Sequence, residues 1–229
     1  PAAAIATHVT EIVRRHSDEL LSRQQVHQLL DNLRQHSPKV VEELIPDVLK
    51  PSHVHQVLCN LLRERVPIRN LEIVLQTLGD YADRTRDLDL LTEYVRASLS
   101  RTICQQYRDR DRVLRVLTLD PLLEALIAEG VEFSDRGMTI KLAPHVTEAI
   151  VQGIVGQIDA LTDAGLPPVL LTTAEVRRAV RRITATALPS LAVLSLNEIT
   201  RDTQVELAGS VGTDVLPREP SRSLTRAGP

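Results

Sequence analysis

From Gln24 to Tyr107 the sequence places apolar residues at helical spacing and offers no convincing strand. That run constrains the fold more than any other feature. Val26, Leu29, Leu30 and Leu33 form one stripe. Ile68, Leu71, Val74, Leu75 and Leu78 form a second, and Leu88, Leu91, Val95, Leu99 and Ile103 a third. Ser37-Pro38 reads as an N-cap followed by proline at the first helical position, and Pro67 is read as opening a further helix. Pro46, Pro51, Pro67 and the Asp83–Asp87 run separate these pieces. An all-helical unit is expected over residues 23–107.

The pattern changes at Arg108. The charged run Arg108–Arg112 is expected to be a solvated linker, and Val113 to Leu119 reads as a buried strand. Asp120-Pro121 starts a helix. Val131–Phe133 and Met138–Leu142 flank a turn and predict a hairpin. A long helix is expected from Pro144, with Gly165 as its stop. Strand Val169–Leu171, helix Ala174–Ala187, strand Leu191–Leu194 and a last strand Thr203–Leu207 follow. Strand–helix–strand order with short links implies parallel pairing. Upstream, Val9, Ile12, Val13, His16 and Leu20 share one helical face, which predicts a leading helix cut from a larger domain. The expected fold class is α+β multidomain, a helical bundle followed by a small α/β domain with a short mixed sheet. The divisions are 1–22, 23–107, 108–212 and a disordered tail at 213–229.

Composition narrows the function classes. Hydrophobic residues make up 43% of the 229, yet aromatics only 2%, with no Trp and the single phenylalanine Phe133. The core must therefore be aliphatic, and the aromatic platforms that sugars and unstacked bases need are scarce. A formal net charge of −3 gives no global attraction to nucleic acid or anionic lipid. No apolar run approaches the roughly 20 residues of a membrane span, so the chain is expected to be soluble. Cys59 and Cys104 fall in apolar helical contexts and are expected to be reduced.

Each constellation that suggests chemistry has a simpler reading. His53, His55 and Cys59 invite a metal, but only His55 and Cys59 share a helical face, and no second ligand pair has metal spacing. Ser195 and Glu198 lie near a strand end without a nucleophile elbow. Thr172 and Glu175 have capping-box spacing after a strand, without phosphate-binding glycines. Arg177, Arg178, Arg181 and Arg182 form a basic stripe, expected to face solvent or an acidic protein partner rather than nucleic acid. No catalytic residue, metal or cofactor is expected.

Several ordered blocks carry a resemblance. These are RQQVHQLLDNL, PKVVEELIPDVL, VLCNLLRERVPIRNLEIVLQTLGDYA, LLTEYVRASLSRTICQQY, LTLDPLLEALI, PPVLLTT and LAVLSLNEI. Together they resemble the cytosolic region of the FlhA/SctV-type export-gate family of flagellar and type III secretion systems. RTICQQY, PPVLLTT and VLSLNEI favour the flagellar branch. The resemblance implies a non-enzymatic docking platform on the cytoplasmic face of the bacterial inner membrane, with the membrane region lying outside this sequence. It implies export chaperone–substrate complexes and components of the export ATPase complex as partners. It also implies self-association into a nonameric ring in the full-length protein. Ala6-Thr7-His8 matches the family's chaperone dimple, and Thr7 is carried over as the binding residue. Leu196 stands where the family usually has an aromatic. From residues alone, the competing reading is a helical plus α/β regulatory module that binds nucleic acid or a protein partner.

Overall fold

The computed structural model describes residues 2–134, 137–163 and 165–216. It resolves into two compact units. Among the described residues, one comprises 2–114 together with Ser195–Val205, and the other Arg115–Leu194 with 206–216.

The first unit is helical: α1 (Ala2–Arg15), α2 (Ser17–Leu20), α3 (Arg23–His36), α4 (Pro38–Leu44), α5 (Pro51–Arg63), α6 (Leu71–Ala82), α7 (Leu88–Ser98) and α8 (Ser100–Tyr107). Ser22 starts α3 through a reciprocal cap. Its hydroxyl accepts from Gln25 N–H at 3.2 Å, and Gln25 Oε1 accepts from Ser22 N–H at 2.7 Å. Asp87 caps α7 in the same spirit, accepting from the N–H groups of Asp89 and Leu90. Helix α6 packs on α4 and α7, and α7 also packs on α5. Val41, Leu58, Leu61, Leu75, Leu78 and Leu91 fill the space between them, essentially without solvent exposure. Each such side chain is worth about 2 kcal/mol of burial. Tyr81 and Tyr94, two of the chain's few aromatics, stack with centroids 4.1 Å apart.

Two local expectations change here. Pro67 follows the cap of α5 rather than opening a helix. Arg65 adopts φ 59° after α5, its N–H donates to Leu62 O, and Val66 N–H reaches back to Leu61 O. That pair of bonds is a Schellman cap, after which proline is common; α6 begins only at Leu71. Ser37 precedes Pro38 at the start of α4, but its hydroxyl donates to Glu72 at 2.8 Å instead of accepting from its own helix. The run Arg108–Arg112 is exposed at four of its five residues, as expected of a solvated run, yet it is held by defined bonds. Asp109 Oδ1 accepts from the N–H groups of Asp111 and Val113, and Arg108 and Arg112 both donate to Asp202.

The segment Ser195–Val205 belongs with these helices although some ninety residues separate it from α8. A short 3-10 turn at Leu196–Glu198 packs against α7 and α8. Ser195 N–H donates to the Glu198 carboxylate at 2.5 Å. Leu196 is exposed, so the departure from the family aromatic leaves no gap in a core.

The second unit holds most of two sheets. Strands β1 (Val113–Leu119), β4 (Val169–Thr172), β5 (Ala192–Ser195) and β6 (Gln204–Val211) form one, in the order β5-β4-β1-β6; β2 (Val131–Ser134) and β3 (Gly137–Ile140) form a separate hairpin. β1 and β4 pair in parallel, Leu117 with Leu170, while β2 and β3 pair antiparallel. Helices α9 (Pro121–Glu129), α10 (Pro144–Asp163) and α11 (Ala174–Thr184) supply the facing layer. Leu117, Leu123, Ile127, Ile150, Ile154 and Val180 meet there in one core. Gly165, at φ 71°, closes α10 with the same double bond as Arg65: its N–H donates to Thr162 O and that of Leu166 to Leu161 O. Thr213–Val215 form a 3-10 turn, and Val215 and Leu216 pack on this core, so order extends past residue 213. The remainder of the expected tail, 217–229, lies outside the described residues.

The arginines of α11 depart most from the sequence reading. Arg177 is 1% exposed, and its guanidinium donates to Val193 O at 3.2 Å; Arg181 donates to Leu191 O at 3.2 Å. Strand β5 lies at the edge of its sheet. Ala192 N–H points inward to Pro168 O, so the Leu191 and Val193 carbonyls point to the open side. Two guanidiniums one helical turn apart thus satisfy two alternate carbonyls of an edge strand. Arg182 donates to Met138 O in the hairpin at 2.6 Å, and Arg178 sits 5.0 Å over the Phe133 ring. Three of the four arginines thus hold backbone carbonyls, with Arg177 buried and Arg182 exposed. Thr172 also changes role: its hydroxyl donates to Leu194 O at 3.4 Å, and no capping bond forms at Thr173 before α11.

Candidate docking surface

Helix α1 leaves the helical unit as a two-sided element. Ile5, Val9, Ile12 and Val13 recur along one side and are each about half exposed or more. At 100° per residue, Thr7, Glu11 and Arg14 fall on the opposite side. Glu11 accepts from Arg65 at 2.9 Å, which ties the second half of α1 to the bundle while Thr7, one turn earlier, stays exposed. The Ser17 hydroxyl donates to Leu62 O at 3.4 Å, and Asp18 pairs with Arg63 at 2.7 Å, so α2 is anchored as well. Beside these anchors lies a cleft of about 710 Å³, lined among others by Val13, Arg14, Leu62, Arg65, Pro67 and Tyr107. Burial pushes the Tyr107 hydroxyl above its ordinary range, only partly offset by Arg96 and Arg65.

Thr7 is exposed on the second turn of α1, which begins at Ala2. It is therefore not a helix-start hydroxyl. The fold brings it one turn from Glu11 and away from the apolar stripe. A surface covering Ile5, Val9 and Ile12 would leave Thr7 accessible to something else. The single leading helix expected through Leu20 is interrupted at His16, which bonds to Glu19 at 3.3 Å.

Other residues weighed for chemistry have structural partners. His55 Nε2 lies 2.7 Å from Leu21 O and 3.5 Å from Cys59 Sγ, so ring and thiol both face the α2 end. Cys59 donates to Asp18 O, and burial raises its thiol above the usual range. Cys104 donates to Glu198 O at 3.2 Å. Both cysteines are free and buried. Among the described residues no cluster of three or more His, Cys, Asp or Glu side chains could hold a metal, and no helix is long and apolar enough to cross a membrane.

Sequence reasoning missed a buried ionic centre. Arg96, 2% exposed, pairs with Glu198 at 2.6 Å and Glu64 at 3.2 Å. Glu198 lies 102 positions from Arg96, and nothing in local periodicity marks either residue as internal.

A helical bundle entered by an amphipathic helix and followed by a small α/β unit recurs within solved cytosolic domains of type III secretion systems, of which the match covers 61–62%. Residues 1–204 match the FHIPEP family, and the chain belongs to it. The flagellar biosynthesis protein FlhA of Bacillus subtilis is 37% identical over 211 residues, covering 92% of this chain and 31% of that protein. The chain thus spans about a third of the length of the curated relatives it matches. Chlamydia pneumoniae CdsV has the same fold, with a TM-score of 0.85 at 28% identity over 91% of this chain and 60% of that one. Its complex with CdsO gives 0.82. Nonameric SctV-C from EPEC gives 0.81 at 26% identity, covering 91% of this chain and 62% of that one.

Proposed function

We propose that the chain is part of the cytosolic docking platform of a flagellar protein-export apparatus. In this reading it receives chaperone–substrate complexes beside Thr7 and takes part in a ring of nine copies. The likeness to FlhA over nine tenths of the chain carries the flagellar assignment. The nonameric state of SctV-C and the CdsV–CdsO complex support the ring and an export-related partner. The platform is not an enzyme and needs no cofactor. It works at the cytoplasmic face of the inner membrane, and membrane attachment belongs to other parts of the longer protein. The apolar side of α1 is the natural seat of a preceding subdomain, which leaves the Thr7 side for the chaperone. The competing regulatory reading needs a basic face stronger than the α11 stripe, and Arg177 and Arg181 of that stripe are engaged with backbone carbonyls.

The test compares stability with affinity in a protein that contains the complete cytosolic region. Thr7→Ala and Thr7→Met should melt within about 1 kcal/mol of wild type, because Thr7 is exposed. They should bind a cognate chaperone–substrate complex at least tenfold more weakly. Unchanged binding of both variants would remove Thr7 from the site.

A further inference from the structure

In the helical unit, α8, the loop after it and the returning segment enclose a polar cleft of about 570 Å³. Four guanidiniums line it, those of Arg101, Arg108, Arg112 and Arg201, against one carboxylate, that of Asp202. The lining therefore carries a formal net charge of +3 in a chain whose total is −3. Asp202 bridges Arg108 at 3.1 Å and Arg112 at 3.3 Å. Arg101 and Arg201, both exposed, make no ion pair among the described residues.

We propose that this cleft docks an acidic peptide segment of a partner protein, with a pair of its carboxylates held by Arg101 and Arg201. The cleft already shows how it treats a carboxylate, since Asp202 Oδ2 is shared between one guanidinium nitrogen of Arg108 and one of Arg112. Arg101 and Arg201 line the same cleft. Guanidiniums are weakly hydrated and planar, so they lose little on pairing with carboxylates. Like charges gathered in a concave wall also raise the local concentration of an anionic partner. No aromatic lines the cleft to stack a base, which favours a peptide over single-stranded nucleic acid. This proposal does not depend on Thr7, which lies on another element.

The probe is a fluorescein-labelled ten-residue peptide bearing two Glu-Glu pairs, titrated by anisotropy into the full chain. Wild type should bind it, and the same peptide with Gln for Glu should not bind. Arg101→Gln/Arg201→Gln should weaken binding at least tenfold, while Arg23→Gln/Arg34→Gln, on α3, should leave it unchanged. Asp202→Asn should bind several-fold more tightly, because it frees Arg108 and Arg112; a merely structural role for the cluster predicts no such gain. The proposal is overturned if wild type does not bind, or if the Arg101/Arg201 variant binds like wild type. It is equally overturned if Asp202→Asn binds more weakly, or if inorganic phosphate or an unlabelled single-stranded oligonucleotide competes better than the peptide.

Discussion

Arg96 and Glu198 meet at 2.6 Å with side chains only 2% and 1% exposed, joining α7 to a segment that returns after the whole α/β excursion. Glu64 adds a second carboxylate at 3.2 Å, and Cys104 donates to the backbone of Glu198 itself. A buried ion pair contributes little net stability, yet breaking one side of it is expensive because the other charge stays in the core.

Glu198→Ala should therefore destabilise the protein by about 3 kcal/mol or more. Glu206→Ala, which removes the half-exposed partner of Arg115, should cost under about 1 kcal/mol. Urea unfolding of the two variants side by side measures the contrast. Equal midpoints would mean that Arg96 is compensated by Glu64 alone.

The guanidinium clamp on β5 gives a second contrast. Arg177→Ala removes a buried side chain and strips a donor from Val193 O, so a loss of about 2–4 kcal/mol is expected. Arg178→Ala removes the contact with the exposed Phe133 ring but leaves the two β5 carbonyls held by Arg177 and Arg181, so it should cost less, about 1 kcal/mol. Unpairing an edge carbonyl also predicts faster aggregation of Arg177→Ala on mild heating, read by light scattering.

Much of the fold was legible in the sequence because helix and strand periodicities are local. The stripes of α3, α6 and α7, the β1 run and the stop at Gly165 all follow from neighbours within a few residues. What escaped depended on partners remote in sequence. Arg177 looks like one of four surface arginines until β5, sixteen residues later, brings its carbonyl alongside. Pro67 carries the same letter whether it opens a helix or follows a cap, and the deciding fact is the positive φ at Arg65. Arg108 and Arg112 give no sign of their shared partner because Asp202 is some ninety residues away. The placement of Thr7 came from family resemblance alone; its exposure on the second turn of α1 is what the structure adds.

Two glycines of α10 should respond in opposite directions. A Cβ on Gly153 would meet Val215 Cγ1 at 2.7 Å and Val211 Cγ1 at 2.9 Å, whereas one on Gly156 meets nothing within 4 Å. Gly156→Ala should stabilise by about 0.5–1 kcal/mol through helix propensity. Gly153→Ala should destabilise by about 1–3 kcal/mol through overpacking. Thermal melts of the two single variants decide it.

Stability should fall at both ends of the pH scale for separate reasons. The Thr200 hydroxyl first, then Arg108, hold the Asp202 carboxyl at about 2, below its ordinary value. A lowered folded value means that this contribution is present above the ordinary carboxylate range and is lost as the pH falls towards 2. On the alkaline side, Cys59 and Tyr107 are raised by burial, so the unfolded chain loses those protons first. Stability should therefore decline as the pH rises past the ordinary thiol and then phenol values. In melts across pH, Asp202→Asn should flatten the acid limb alone and Cys59→Ala the first part of the alkaline limb. Identical profiles for wild type and both variants would show that these groups titrate alike folded and unfolded.

The return of Ser195–Val205 to the helices has a consequence for how such proteins can be recombined. A helical module cut at the end of α8 and grafted between relatives would leave Arg96 without its Glu198 partner and Arg108 without Asp202. A working exchange has to move two stretches of gene that are far apart. Over evolutionary time, substitutions in α7 and α8 should accordingly be matched by changes around residue 198 rather than by changes next door.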